Sequence, residues 1–170
     1  MSAGRALLAG IGNSFRHDDG AGPAVVAKAM ELAAGTPLAR CLVDAGPLGA
    51  PFDLVDLLVN WEGAVVVADA VSSGAGPGTL TIDHLEPGTR TLGFSAGRQR
   101  RPSTHGIGIF DLYRTLCQLG LAPRRLAVIG IEGADFSQGA GLSATVGAAI
   151  TEAAALALDV AAGQLRSGEH

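Results

Sequence analysis

Five consecutive apolar residues, Ala64-Val65-Val66-Val67-Ala68, run without a polar break and stop at Asp69. A run of this kind lacks the alternation of a half-exposed strand. It predicts a central strand covered on both faces, which requires a layer of structure on each side. Three other segments repeat the pattern. Leu7-Leu8 stops at Gly10-Ile11-Gly12-Asn13, Leu42-Val43 at Asp44, and Leu126–Ile131 at Glu132. Helical stretches alternate with them. Pro23 suits a first helical turn, and Val25, Val26, Ala29, Met30 and Ala33 form a stripe behind it. Residues 51–59 follow with Phe52, Val55 and Leu58 on one side, and 108–119 with Ile109, Leu112, Tyr113 and Leu116 inward. Ser143 is placed to cap a final helix from Ala144 to about Ala162. The alternation Leu80, Ile82, Leu85 predicts a half-exposed strand toward an edge. Together these segments predict a three-layer α/β/α domain around a largely parallel sheet of about five strands. The 170 residues accommodate one such domain, with a core over about 5–162 and a short tail at 163–170.

Composition narrows the functional classes. A hydrophobic share of 48% excludes intrinsic disorder, and 25 glycines fit a fold with many tight strand-to-helix turns. A net charge of -4 makes nucleic acid a poor partner. Asp159 and Glu152 interrupt the most aliphatic stretch, so no membrane span is expected, and Ala6–Ala9 is too short for a signal peptide. Cys41 and Cys117 are far apart, which argues against a disulfide framework or a cysteine zinc site. The expectation is a soluble cytoplasmic protein without a nucleic-acid or membrane partner.

The polar residues are placed more tellingly. Asn13, Asp44, Asp69 and Glu132 each stand where a buried strand ends, and Asp18 and Asp19 lie in the loop after the first. In an open parallel sheet the carboxyl ends of the strands share one edge, and ligands bind there. Acidic groups distant in sequence are therefore expected to converge, and His105 joins them if its loop crosses that edge. One imidazole with two or more carboxylates suits a divalent transition metal better than calcium or magnesium. Each residue also has a plainer role open to it. Asp44 is the better candidate for a turn former, Asp18 or Asp19 for complementing a helix dipole, and His105 for a cap. His17 and His84, read as loop residues, need no ligand role. Arg98, Arg100 and Arg101 form the one dense positive cluster, suited either to solvent or to steering an acidic partner surface.

Several familiar motifs are missing. Phe15 occupies the third glycine position of a dinucleotide fingerprint, and Lys28, the single lysine, belongs to no phosphate loop. There is no His-Glu-x-x-His pair and no Gly-x-Ser-x-Gly elbow.

The ordered set Gly10-Ile11-Gly12-Asn13, Asp18-Asp19-Gly20 with Gly22, Asp44-Ala45-Gly46, Ala68-Asp69-Ala70, Pro77-Gly78-Thr79, Ser103-Thr104-His105, Gly130-Ile131-Glu132 and Gly141-Leu142-Ser143 resembles the nickel-iron hydrogenase maturation proteases. The resemblance runs from Leu7 to about Ala162. It implies a twisted sheet flanked by helices, of the phosphorylase/hydrolase-like kind, and a metal site of two carboxylates and one histidine. Carried over by position, these are Asp19, Asp69 and His105, as both metal ligands and catalytic residues. Asp19 stands where the family often has glutamate, Ala45 where a second glycine is common, and Thr104 where proline is common. The implied activity is an endopeptidase that removes the C-terminal extension of a hydrogenase large-subunit precursor. The implied cofactor is nickel, belonging to the substrate and held weakly by the free protein. The other expectations are a non-catalytic nickel-sensing checkpoint or chaperone on the same fold and, more distantly, a nucleotide-binding domain.

Overall fold

The computed structural model describes residues 4–59, 61–88 and 108–167. Its centre is a five-stranded sheet in the order β2-β1-β3-β5-β4, built from β1 (Ala6–Ile11), β2 (Leu42–Leu48), β3 (Ala64–Val71), β4 (Leu80–Leu85) and β5 (Leu126–Glu132). β1 pairs in parallel with both β2 and β3, and β3 with β5; β4 closes one edge antiparallel to β5. Every residue of β1 and β5 is buried, as are the first five of β3, which accords with strands covered on both faces. His84, expected in a loop, is a β4 strand residue opposite Ala127.

Alternate residues of the central strands feed two separate cores. On one face Leu8, Val66, Ile129 and Ile131 pack against α1 (Ala21–Ala33) and α4 (Ala144–Ser167). On the other, Leu7, Ala9, Val65, Val67 and Val128 pack against α3 (Ile109–Gln118) and the short helical segment 51–58. That segment is a 3-10 turn, Pro51–Leu54, running into the single-turn helix α2 (Val55–Leu58). Three residues per turn in its first half rotate the side chains away from α-helical register. Leu54 and Leu58 therefore face the core, while Phe52, expected inward, is 65% exposed.

Two boundaries differ from expectation for physical reasons. β2 continues past Asp44 to Leu48, although it contains Pro47; it is an edge strand, where the missing N–H faces no partner. α4 does not end near Ala162. The Arg125 guanidinium donates to the carbonyls of Gln164 (3.1 Å) and Ser167 (3.0 Å), satisfying groups at the helix C-terminus, which runs to Ser167. By length and composition α4 would suffice to cross a membrane. Here Val146, Ile150, Ala153, Ala154, Ala157 and Ala161 pack one side of it into the protein core.

The glycines after β1 serve close packing rather than phosphate binding. A Cβ on Gly22 would overlap the carbonyl of Ile11, and one on Gly12 would overlap the Asp19 carbonyl. Gly12 also has φ +142, a backbone conformation that L side chains rarely adopt. These small residues let the start of α1 sit directly on the ends of β1 and β3.

Candidate active site

Of the acids expected at strand ends, Asp69 and Glu132 lie toward the C-terminal ends of β3 and β5, whereas Asp44 sits inside β2 opposite Leu8, and hydrogen bonds sort them into different roles. Asp44 is exposed, and its Oδ1 accepts the N–H of Gly46 (2.8 Å), where Gly46 has φ +77. It is a turn former. Glu132, only 3% exposed, accepts the N–H groups of Ser73 (2.8 Å) and Gly74 (2.9 Å) on one oxygen. Its other oxygen accepts the Ser73 hydroxyl (2.7 Å). It pins the loop after β3.

Asp18 and Asp19 stand together in the 3-10 turn His17–Gly20 and diverge completely. Asp18 is wholly buried and accepts four hydrogen bonds from the segment between β5 and α4, so it is an anchor. Burial pushes its pKa up, but the N–H groups of Ser143, Ala134 and Asp135 and the Ser143 hydroxyl outweigh this and hold it below the ordinary value. The hydroxyl of Ser143, placed by sequence to cap α4, is turned to Asp18 instead, while its carbonyl accepts the N–H of Gly147 (2.8 Å).

Asp19 is 8% exposed and accepts the N–H of Asn13 (3.0 Å). Asp69 lies opposite Ile11 in the β1–β3 register, on the strand that meets the turn carrying Asp19. Burial and the negative charge of Asp19 raise the Asp69 pKa to about 7, against a smaller lowering by the Ala70 N–H. The tertiary fold thus brings the turn carrying Asp19 against the strand carrying Asp69, so that the charge of one acts on the other. Such a pair is relieved by a proton or by a cation.

His105 lies outside the described residues, as does the arginine cluster Arg98, Arg100 and Arg101. Among the described residues no three His, Cys, Asp or Glu side chains form a metal-holding group, so the oxygen pair is the part of the expected set visible here. His17 is near this pair in sequence but is otherwise engaged: its Nδ1 lies 2.9 Å from the Gly141 carbonyl. Sequence reading missed the segment 133–143 as a wall of the site. The signal available was Gly139 and Gly141, whose positive φ values mark a tightly shaped loop.

Residues 25–160 match the model of the hydrogenase maturation proteases. This chain belongs to that family. It is 32% identical over 128 residues to the hydrogenase expression/formation protein HupD of Rhodobacter capsulatus, covering 75% of this chain and 57% of the relative. It is 31% identical over 153 residues to HupM of Azotobacter chroococcum mcd 1, covering 89% and 69%. The chain therefore spans less than three-fifths of the first of these relatives. Among solved structures, the hydrogenase maturating endopeptidase HybD from E. coli superposes with a TM-score of 0.72 at 25% identity, covering 96% of this chain and 94% of that one. The Gly-x-Gly-Asn segment closes β1, and its Asn13 N–H holds the Asp19 carboxylate beside the end of that strand.

Proposed function

We propose that this chain is an endopeptidase that removes the C-terminal extension of a nickel-iron hydrogenase large-subunit precursor after nickel insertion. It recognises the nickel carried by that substrate through Asp19, Asp69 and His105. The observation that carries the reading is the placement of Asp19 and Asp69 on the contacting turn 17–20 and β3 at the sheet edge of a maturation-protease fold. In this reading the pair supplies oxygen donors and His105 a nitrogen donor, leaving positions open for the precursor's own groups or water. A carboxylate ligand must be ionised, so the raised pKa of Asp69 would make metal engagement depend on pH. Nickel in the substrate can then polarise the scissile carbonyl or a bound water.

The test is incubation with nickel-loaded and nickel-free precursor of the same sequence. Cleavage to a smaller product is expected for the loaded form alone, and is expected to disappear in His105→Ala and Asp69→Ala while both variants stay folded. Full cleavage of the nickel-free precursor, or by His105→Ala, would overturn nickel recognition. Tight binding of the loaded precursor without cleavage would identify the chain as a checkpoint rather than a protease.

A further inference from the structure

Residues 15–18, immediately before Asp19, are tied one after another to the segment that follows β5. The Phe15 carbonyl accepts the N–H of Gly139 (2.9 Å). The Arg16 guanidinium donates to the Phe136 carbonyl (3.3 and 3.1 Å). The His17 N–H donates to Gly139 (2.9 Å) and the Asp18 N–H to Asp135 (3.0 Å). The Asp18 side chain completes the set. Its Oδ2 accepts from Ala134 N (2.8 Å), Asp135 N (3.0 Å) and Ser143 Oγ (2.9 Å), and its Oδ1 from Ser143 N (2.7 Å). His17 is held at φ 44, the one non-glycine residue with positive φ among the described residues. Positive φ is uncommon for a residue with a side chain, histidine being among those that adopt it more readily, and here the Gly139 carbonyl holds it.

From this geometry we infer that Asp18 is a positioning residue. It locks the turn onto the segment 133–143 and so sets where the adjacent Asp19 stands relative to Asp69. Beside the bonds of residues 15–17, the turn is held by carboxylates on both sides: the Asp19 carboxylate accepts the Asn13 N–H at the end of β1, and the Asp18 carboxylate is anchored beyond β5. Between them they span the sheet edge from β1 across β3 to β5. A carboxylate that accepts only N–H and O–H donors has no place for an amide. Asp18→Asn sets an NH2 group against at least one of those donors in either orientation, so the turn shifts rather than merely loosening.

The inference rests on the nickel-recognition reading for its functional consequence, but not for its first readout. In Asp18→Asn, amide hydrogen exchange is expected to accelerate at Ala134, Asp135 and Ser143, and also at Asn13, which Asp18 does not touch. Ni2+ affinity of the free chain and turnover of nickel-loaded precursor should fall about 10- to 100-fold, the range seen when groups that orient metal ligands are removed. Both are measured well below each variant's melting temperature. Ser143→Ala, which removes the hydroxyl bond and keeps the N–H, should shift all readouts in the same direction by less, and it decides the matter if Asp18→Asn does not fold. A lower melting temperature with unchanged Asn13 exchange, affinity and turnover would overturn the inference and leave Asp18 as a stabilising contact. Failure of the unmodified chain to engage nickel would defeat only the nickel reading, since Asn13 exchange still decides the role of Asp18.

Discussion

Two buried acids at one sheet edge, Asp18 and Glu132, look interchangeable in sequence, and their partners make them different. Asp18 faces three N–H groups and a hydroxyl that divide across both of its oxygens. Glu132 receives both N–H groups on one oxygen, and its second oxygen meets only the Ser73 hydroxyl, which can rotate to accept. Glu132→Gln should therefore be tolerated, with a change in unfolding free energy of less than about 1 kcal/mol, because the amide can donate to Ser73. Glu132→Ala should cost about 1–3 kcal/mol by leaving the Ser73 and Gly74 N–H groups without that acceptor. Urea denaturation of the two variants checks this, and equal losses would show that the carboxylate charge matters more than its geometry.

The antiparallel strand β4 stands at the open edge of an otherwise parallel sheet, joined to the rest through β5 and through α3. Tyr113 on α3 makes the second connection. Its buried hydroxyl lies 2.9 Å from the Pro123 carbonyl and 3.3 Å from that of Leu85, the last residue of β4. Burial and the neighbouring Cys117 raise its pKa, so the hydroxyl stays protonated and able to donate. Tyr113→Phe keeps the ring in the core and leaves two carbonyls short of a donor. The expected loss is about 1–2 kcal/mol, with faster amide exchange in β4 than in the central strands. A uniform change across the sheet would show that β4 opens together with the rest of the fold. At the other end of the design, Arg125 donates to carbonyls in the last turn of α4, which runs to Ser167.

For the molecule as a whole, the two best-placed aspartates give stability opposite slopes against pH. Asp18 has a lowered pKa in the fold, so its contribution is present above the unfolded value of 3.8 and is lost as pH falls through the folded value. Asp69 is raised from 3.8 to about 7, so the folded state holds a proton that the unfolded chain has released. Its contribution is present below 3.8 and is lost as pH rises toward 7. Without bound metal, the protein should lose stability between about pH 4 and pH 7 from this group, on the order of 4 kcal/mol. Asp69→Asn should flatten that limb and be the more stable protein at pH 8. Denaturation midpoints across pH test this, and parallel curves for the two proteins would show that Asp69 ionises normally.

The layer architecture and the positions of the central strands were legible in the sequence. Burial on both faces leaves an unbroken apolar run, and a polar residue marks where each run leaves the core, as at Ala64–Asp69 and Leu126–Glu132. Those signals are local, carried by neighbours along the chain. What each acid does was not legible, because its partners are distant in sequence: Asp18 is satisfied from residues 134, 135 and 143, and Glu132 from residues 73 and 74. Phe52 faces outward because a 3-10 turn changed the period, and α4 runs to Ser167 with carbonyls of its last turn satisfied by Arg125, distant in sequence. The chain alone specified that Asp69 and Glu132 lie toward the C-terminal ends of buried strands. Only folding decided that Asp18 would anchor to residues 134, 135 and 143 while Asp19 was held by the Asn13 N–H, because donors and charges act across space rather than along the backbone.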